Sequence, residues 1–543
     1  MTTVADEVVR RLAERGVSHV FGYPGETSLS LYAAFQRNDE ITHVIGRCPR
    51  GAAYAAEAYA RIVGGVAVCD APGGIGSPYA TPALLEAYNS GTPLVLITSG
   101  PSKSTQRPWA TGHVEHAQLF DSIAKHVYVV RGQEGALGVI DMALALAESP
   151  RRGPVVIEIA PDILEAEAAP ALLDVPPATA DAMVPAGTAA ADGVVARAAE
   201  AVRRGASVAL ISGGGCHAAG AAEALREFVD RFGIPVFTTL NGKGVLSEVG
   251  TGLPRVVGSK GDTPANEYIS GCEVVLYAGS KMGDKSTNQY AWPSPDQFLV
   301  RIDDDPEIED TDPTRGCLLH EDIAGGLKLL SDELGEWSYS GPCPSATTDG
   351  DWSKNGTASL VATVNAELSD RDVCVGEASV ASGWFGALLR LAPPQRLITP
   401  RGTGSLGYAI PASVGAAVAR PDATVWTLVG DGGLTMSIGE LETIARLGLD
   451  VKITVLDNGR LNLIDQHAIH RHGAAAVSRD FHRIDWPTIC AAIGLPVMAS
   501  DDPDGDATDI VSFFSRPGPA VLVLDTSVDE VSPDMAIAIR KVH

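Results

Sequence analysis

Asp431 and Asn458 are the residues of this chain best suited to hold a hard divalent cation. Asp431 lies in Gly430-Asp431-Gly432-Gly433, and Asn458 follows in Asp457-Asn458-Gly459. An Asp carboxylate, an Asn amide oxygen and a backbone carbonyl are oxygen donors of the kind Mg2+ takes. The glycines beside Asp431 let the backbone approach an anion closely. N–H groups at the start of a following helix would face that anion, aided by the helix dipole. Read together, the two segments make a grip for a diphosphate-bearing cofactor held through a divalent metal. A Gly-rich turn between strand and helix is common without any ligand. The second segment, set just after the next strand, makes the pair specific.

For the two residues to meet, the chain around them must run strand, helix, strand. Residues 424–429 and 451–456 read as apolar strands, with a helix over 437–447 between them. Such a crossover makes the strands parallel, and ligands bind beyond the carboxyl ends of parallel strands. The same alternation of short apolar runs with Ala-rich amphipathic stretches fills the chain. Further strand-like runs lie at 66–69, 94–97, 155–159, 207–211, 236–238, 274–278 and 520–524. This predicts an α/β protein with parallel sheets covered by helices on both faces. Polar, Pro/Ala/Gly-rich stretches at about 168–187 and 338–356 read as linkers. They divide the chain into three doubly wound parallel-sheet domains, at 1–170, 188–337 and 357–543. The first and last thirds both end in a Gly-Pro turn feeding an apolar strand, Gly153-Pro154-Val155-Val156 and Gly518-Pro519-Ala520-Val521. That suggests an old duplication.

Bulk properties exclude several classes. A chain of 543 residues is too long for one core. A net charge of -26 argues against nucleic acid as a partner, since phosphate binding needs a basic surface. Cysteines 48, 69, 216, 272, 317, 343, 374 and 490 form no CxxC pair, which fits a reduced compartment and offers no zinc site. No apolar run approaches the ~18 residues of a membrane span, and the N-terminus lacks a signal-type apolar core. The expectation is a cytoplasmic protein with no membrane partner.

Gly-Asp-Gly followed by Asn after such an interval resembles the signature of thiamine diphosphate enzymes. Phe21-Gly22-Tyr23-Pro24-Gly25, Glu57-Ala58-Tyr59-Ala60-Arg61, Thr238-Thr239-Leu240-Asn241-Gly242-Lys243-Gly244 and Gly404-Ser405-Leu406-Gly407-Tyr408 resemble segments of its acetolactate synthase-like branch. The resemblance covers essentially the whole chain. It implies that the first domain, which would be the pyrimidine-binding one, grips the cofactor's pyrimidine, and that the last grips its diphosphate. It also implies that the middle domain is Rossmann-like. Active sites would form between two subunits, giving a homodimer at least and, more fully, a homotetramer. By position, Asp431 and Asn458 would ligate Mg2+ with the Arg460 carbonyl. Gly430, Gly432 and Gly433 would border the diphosphate, with Ser379 nearby and Ser382 as its competitor. Leu406 would bend the cofactor, and the Gly404 carbonyl would hold its 4′ nitrogen. In this family the middle domain sometimes binds FAD, ADP or coenzyme A and sometimes nothing. Ser212-Gly213-Gly214-Gly215-Cys216 does not choose among these.

One departure bears on activity. The family places a glutamate against the pyrimidine N1′, which activates the ring's 4′ nitrogen as an internal base. The matching position here is Pro49, in Arg47-Cys48-Pro49-Arg50-Gly51. Proline supplies neither carboxylate nor N–H. Three readings stay open: chemistry without that carboxylate, as in glyoxylate carboligase-like members with an apolar residue there; a substitute carboxylate; or a silent cofactor-binding homologue.

Four polar residues are candidates to face a substrate. Glu26 follows Pro24-Gly25 and reads as a proton shuttle or as a helix-start carboxylate. His113 and His116 align with a segment that lines the cavity above the thiazolium ring, and His113 is the better candidate. Asp70, at a strand end beside Ala71-Pro72-Gly73, is weaker. His467, His470 and His472 read as a solvated lid helix rather than a metal site. The activity implied is carboligation, a transferase or lyase reaction on a small 2-oxoacid donor. The alternatives are a non-oxidative 2-oxoacid decarboxylase and a silent regulatory homologue.

Overall fold

Short runs rich in Val, Ile and Leu, bounded by glycines and helix caps, form strands buried on both faces, as helices on either side of a parallel sheet require. The computed structural model describes residues 2–102, 104–105, 107, 110, 112–168, 193–250, 254–305, 308, 312, 314–344, 355–500 and 507–535. The proposed linkers lie largely outside the described residues.

Three six-stranded sheets are seen, and every strand pairing in them is parallel. The first holds β1 (His19–Gly22), β2 (Thr42–Ile45), β3 (Ala67–Ala71), β4 (Leu94–Thr98), β5 (His126–Val130) and β6 (Pro154–Ile159), in the order β2-β1-β3-β4-β6-β5. The second holds β7 (Val208–Ser212), β8 (Val236–Thr238), β9 (Arg255–Val256), β10 (Val274–Ala278), β11 (Phe298–Ile302) and β12 (Gly316–Leu319). Its order, β12-β11-β10-β7-β8-β9, is that of a Rossmann sheet. The third holds β13 (Val373–Gly376), β14 (Arg396–Ile398), β15 (Val425–Gly430), β16 (Val451–Asp457), β17 (Val497–Ser500) and β18 (Ala520–Asp525). Its order, β14-β13-β15-β16-β18-β17, repeats the first sheet strand for strand. The repeat supports the duplication inferred from the Gly-Pro strands. The three-domain α/β architecture is as expected.

The chain forms two compact units. One consists of Met1–Ala186, Pro400–Ala419 and Ser437–Leu447; the other of Gly187–Thr399, Arg420–Met436 and Gly448–His543. In the first unit the helix Pro49–Val63 starts with proline at its first position, where no N–H is needed, and ends at Gly64 with φ of 76°. The helix Ala409–Ala419 packs against it closely enough that a Cβ on Gly415 would lie 1.8 Å from the Ala55 carbonyl oxygen. In the second unit a buried Lys243–Glu248 ion pair of 2.6 Å, whose carboxylate also accepts the Leu391 N–H, ties the segment after β8 to the loop before β14.

The helix expected over 437–447 is Glu440–Leu447, and a separate short helix, not expected, precedes that range. This short helix, Asp431–Met436, begins at Asp431 itself. The small Gly432 and Gly433 let it start directly at the strand end, and Ser437-Ile438-Gly439 separates the two. No helix among the described residues is long and apolar enough to cross a membrane.

Candidate cofactor site

In the second unit, β15 and β16 are neighbours with Gly430 opposite Leu456, so Asp431 and Asn458 emerge at the same end of the sheet. Asp431 is 8% exposed, and its carboxyl is pushed up to about 6. Burial is the main cause and the charge of Asp457 adds to it, while N–H groups of Gly432 and Gly459 oppose both. The Asn458 Oδ1 is buried and has no hydrogen-bond partner among the described residues. A carboxylate and an unpartnered amide oxygen at the same sheet end are hard oxygen donors, and the residues fit Mg2+. The Arg460 carbonyl accepts the Asn462 N–H at 2.9 Å, which leaves its second lone pair. The Arg460 guanidinium is held by Asp465 at 3.2 Å and Asp480 at 2.7 Å. Among the described residues no three His, Cys, Asp or Glu side chains gather as a group that could hold a metal ion.

Gly432 and Gly433 are buried, and a Cβ on Gly433 would lie 2.9 Å from Glu377. The turn is therefore shaped around glycine. Ser379 caps the helix Val380–Leu388, accepting the Ala381 N–H at 3.2 Å, and Ser382 donates to its carbonyl.

In the first unit, Gly404 has φ of 71°, and no atom lies within 4 Å of where its Cβ would be. Its turn is fixed from below by a residue not singled out from sequence. Glu86, wholly buried, accepts the Gly402 and Thr403 N–H groups, each at 2.8 Å, and the Thr403 hydroxyl at 2.7 Å. Arg61 bridges Glu86 at 2.9 Å and Glu57 at 2.5 Å, and the Tyr408 hydroxyl donates to Glu57 at 2.7 Å. Burial raises Glu57. It would raise Glu86 too, but Arg61 and the donors of Thr403 and Gly402 outweigh it. Leu406 is partly buried on this turn. The only early signal was that Glu57, Arg61 and Tyr408 sit in quoted motifs; Glu86 sits in none.

The four substrate-facing candidates divide. Glu26 is exposed and opens the turn Glu26–Ser28, which is tied down where Thr27 accepts the Gly73 N–H at 2.8 Å and the Ser99 hydroxyl at 2.9 Å. His113 is exposed, with Nε2 2.8 Å from Glu115. His116 is 1% exposed, with Nδ1 2.8 Å from Glu158 and Nε2 2.7 Å from the Ser77 hydroxyl. It fastens the segment carrying His113 to the turn after β3. Asp70 is buried and accepts from Tyr32 at 2.8 Å and pairs with His43 at 2.7 Å. Burial raises its carboxyl against the pull of His43 and Tyr32. Pro49 is buried at the start of its helix. In the middle domain the Gly213 and Gly215 N–H groups donate to Ala278 and Gly279 carbonyls, so close packing accounts for that glycine run.

The fold and the grip together define a three-domain α/β protein built for a diphosphate cofactor. Family models for the thiamine pyrophosphate enzymes match three stretches. These are the N-terminal TPP binding domain over residues 2–124, the central domain over 195–328 and the C-terminal TPP binding domain over 377–524. The chain is 30% identical to the acetolactate synthase isozyme 2 large subunit of Escherichia coli, over 85% of this chain and 84% of that protein. It is 29% identical to the chloroplastic acetolactate synthase 1 of Oryza sativa, over 95% of this chain and 84% of that one. A solved structure titled Rhodococcus jostii RHA1 thiamine diphosphate-dependent 4-hydroxybenzoylformate decarboxylase shares the fold. Its TM-score is 0.83 at 21% identity, covering 97% of this chain and 100% of that one. The chain belongs to the thiamine pyrophosphate enzymes, in their acetolactate synthase-like branch.

Proposed function

We propose that this protein is a thiamine diphosphate- and Mg2+-dependent carboligase or lyase that takes a 2-oxoacid donor and joins it to a carbonyl acceptor, as an acetolactate synthase-like enzyme does. The observation that supports it most directly is the Asn458 amide oxygen, buried without a partner at the end of β16 beside the strained carboxyl of Asp431. A buried acceptor left unmade costs roughly 1–3 kcal/mol, and a bound cation would remove that cost.

In this reading Asp431, Asn458 and the Arg460 carbonyl hold Mg2+, and Gly430, Gly432, Gly433 and Ser379 border the diphosphate. The Gly404 carbonyl and Leu406 hold and bend the pyrimidine end. Glu26 and His113 are the proton-handling groups, with His116 orienting the segment that carries His113 and Asp70 anchoring the neighbouring strand end. The bound cofactor supplies the electron sink, and the protein supplies position and a dry cavity. A homodimer or homotetramer in the cytoplasm completes the proposal.

Its test is an incubation of the purified protein with thiamine diphosphate, Mg2+ and a panel of 2-oxoacids, with carbon dioxide and acyloin measured separately. Both products together are expected. Carbon dioxide without acyloin would favour a decarboxylase. Tight cofactor binding with neither product would make the chain a silent homologue.

A further inference from the structure

Pro49 leaves the pyrimidine end of the site without its own carboxylate, yet a carboxylate stands at the same helix turn. Glu440, the first residue of the helix Glu440–Leu447, is 3% exposed and lies in the same compact unit as the helix Pro49–Val63. Its Oε1 accepts the Arg47 N–H at 2.9 Å, two residues before Pro49. Its Oε2 accepts the Thr443 hydroxyl at 2.7 Å. A Cβ on Gly51 would lie 2.1 Å from Oε1 and 2.8 Å from the carboxyl carbon. Any side chain at position 51 would displace this group, so the first turn of the helix is built around it. The charged and titratable groups nearby are Arg47, which pairs with Glu442 at 3.6 Å, Arg50, which reaches Ser437 at 3.5 Å, and Cys48, whose Sγ caps Gly51.

We propose that Glu440 takes the part of the carboxyl missing at position 49, sharing its proton with the pyrimidine N1′ of thiamine diphosphate. This rests on the reading that the chain binds that cofactor. The proton passes from the Glu440 carboxyl to N1′ and returns, with no other reactant consumed. Burial raises the Glu440 carboxyl against the donors of Thr443, Arg47 and Cys48, so the group keeps its proton at higher pH than an ordinary glutamate.

Glu440→Gln in the cofactor- and Mg2+-loaded protein is the test, because the amide keeps the shape, its oxygen can still accept the Arg47 N–H, and its NH2 can donate to the Thr443 hydroxyl instead of accepting from it. Three quantities are read: the cofactor dissociation constant by calorimetry, deuterium exchange at the thiazolium carbon, and the pH midpoint of the bound cofactor's near-ultraviolet circular dichroism. The dissociation constant should stay within about threefold. Exchange should fall roughly a hundredfold, the scale of one acid–base group, and the midpoint should move. Adding Pro49→Glu to Glu440→Gln should recover most of the exchange, which a structural role for Glu440 does not predict. Unchanged exchange and an unmoved midpoint in Glu440→Gln overturn the proposal while leaving cofactor binding intact. If the unaltered protein binds no cofactor, the functional reading fails and takes this inference with it. Should Glu440→Gln not fold, Glu440→Asp and Gly51→Ala shift the carboxyl without removing it, and normal exchange in both overturns the proposal.

Discussion

In the proposed metal site, the same chemistry at Asp431 and Asn458 would set both binding and its pH dependence. Asp431 has a folded-state pKa of about 6, above the ordinary carboxylate value, so burial favours its protonated form. Without metal, the stability this group contributes is present at low pH and is lost as pH rises through about 6. Mg2+ needs the ionised form, so affinity should fall by up to roughly tenfold for each pH unit below about 6 and level off above it. Calorimetric titration of Mg2+ at several pH values checks this, and an affinity flat from about pH 5 to pH 7 would contradict it. Asp431→Ala should abolish Mg2+-dependent cofactor binding in the same instrument; full retention would sink the metal assignment. That both residues stand at the same end of neighbouring strands was legible in the sequence, because the strand–helix–strand pattern around them makes the strands parallel. Glu440 and Glu86 were not legible. Each acts through the backbone of a segment far away in sequence, and spacing cannot show such contacts.

Among the elements, the turn 402–404 depends on a helix more than 300 positions earlier in the chain. Glu86→Ala would leave two N–H groups unsatisfied and one face of Arg61 unpaired in a buried setting. A loss of about 3–5 kcal/mol is expected, the usual cost of breaking a buried pair on one side. Urea denaturation measures it, and a loss below about 1 kcal/mol would show that water or Glu57 compensates. The central strands of each sheet are readable as apolar runs, and all nine such runs fall within two residues of a strand's ends, as β6, β10 and β18 illustrate. Edge strands such as β2, with only Val44 buried, and β5, buried only at Val130, carry weaker patterns. The two-residue β9 carries none, because pairing rather than composition defines it.

For the molecule as a whole, a net charge of -26 keeps like surfaces apart unless an apolar face outweighs it. The second unit exposes Met436, Ile464 and Phe481, at 44%, 54% and 49% of their surface, on segments flanking the metal motif. Light scattering after size exclusion should therefore give at least twice the chain mass, and more firmly so at high salt. A strictly monomeric protein saturated with cofactor would count against sites shared between subunits. The repeated strand order carries a further meaning. In the first sheet the helix Pro49–Val63 follows the edge strand β2; in the third, Ala409–Ala419 follows the edge strand β14. These equivalent helices lie against each other, with the rings of Tyr54 and Tyr408 5.2 Å apart. Like surface meeting like surface is the hallmark of a two-fold dimer. A contact of this kind inside one polypeptide is what the fusion of two like partners would leave. Fusion would free each half to change alone, so that a residue at one helix start need not be matched at the other.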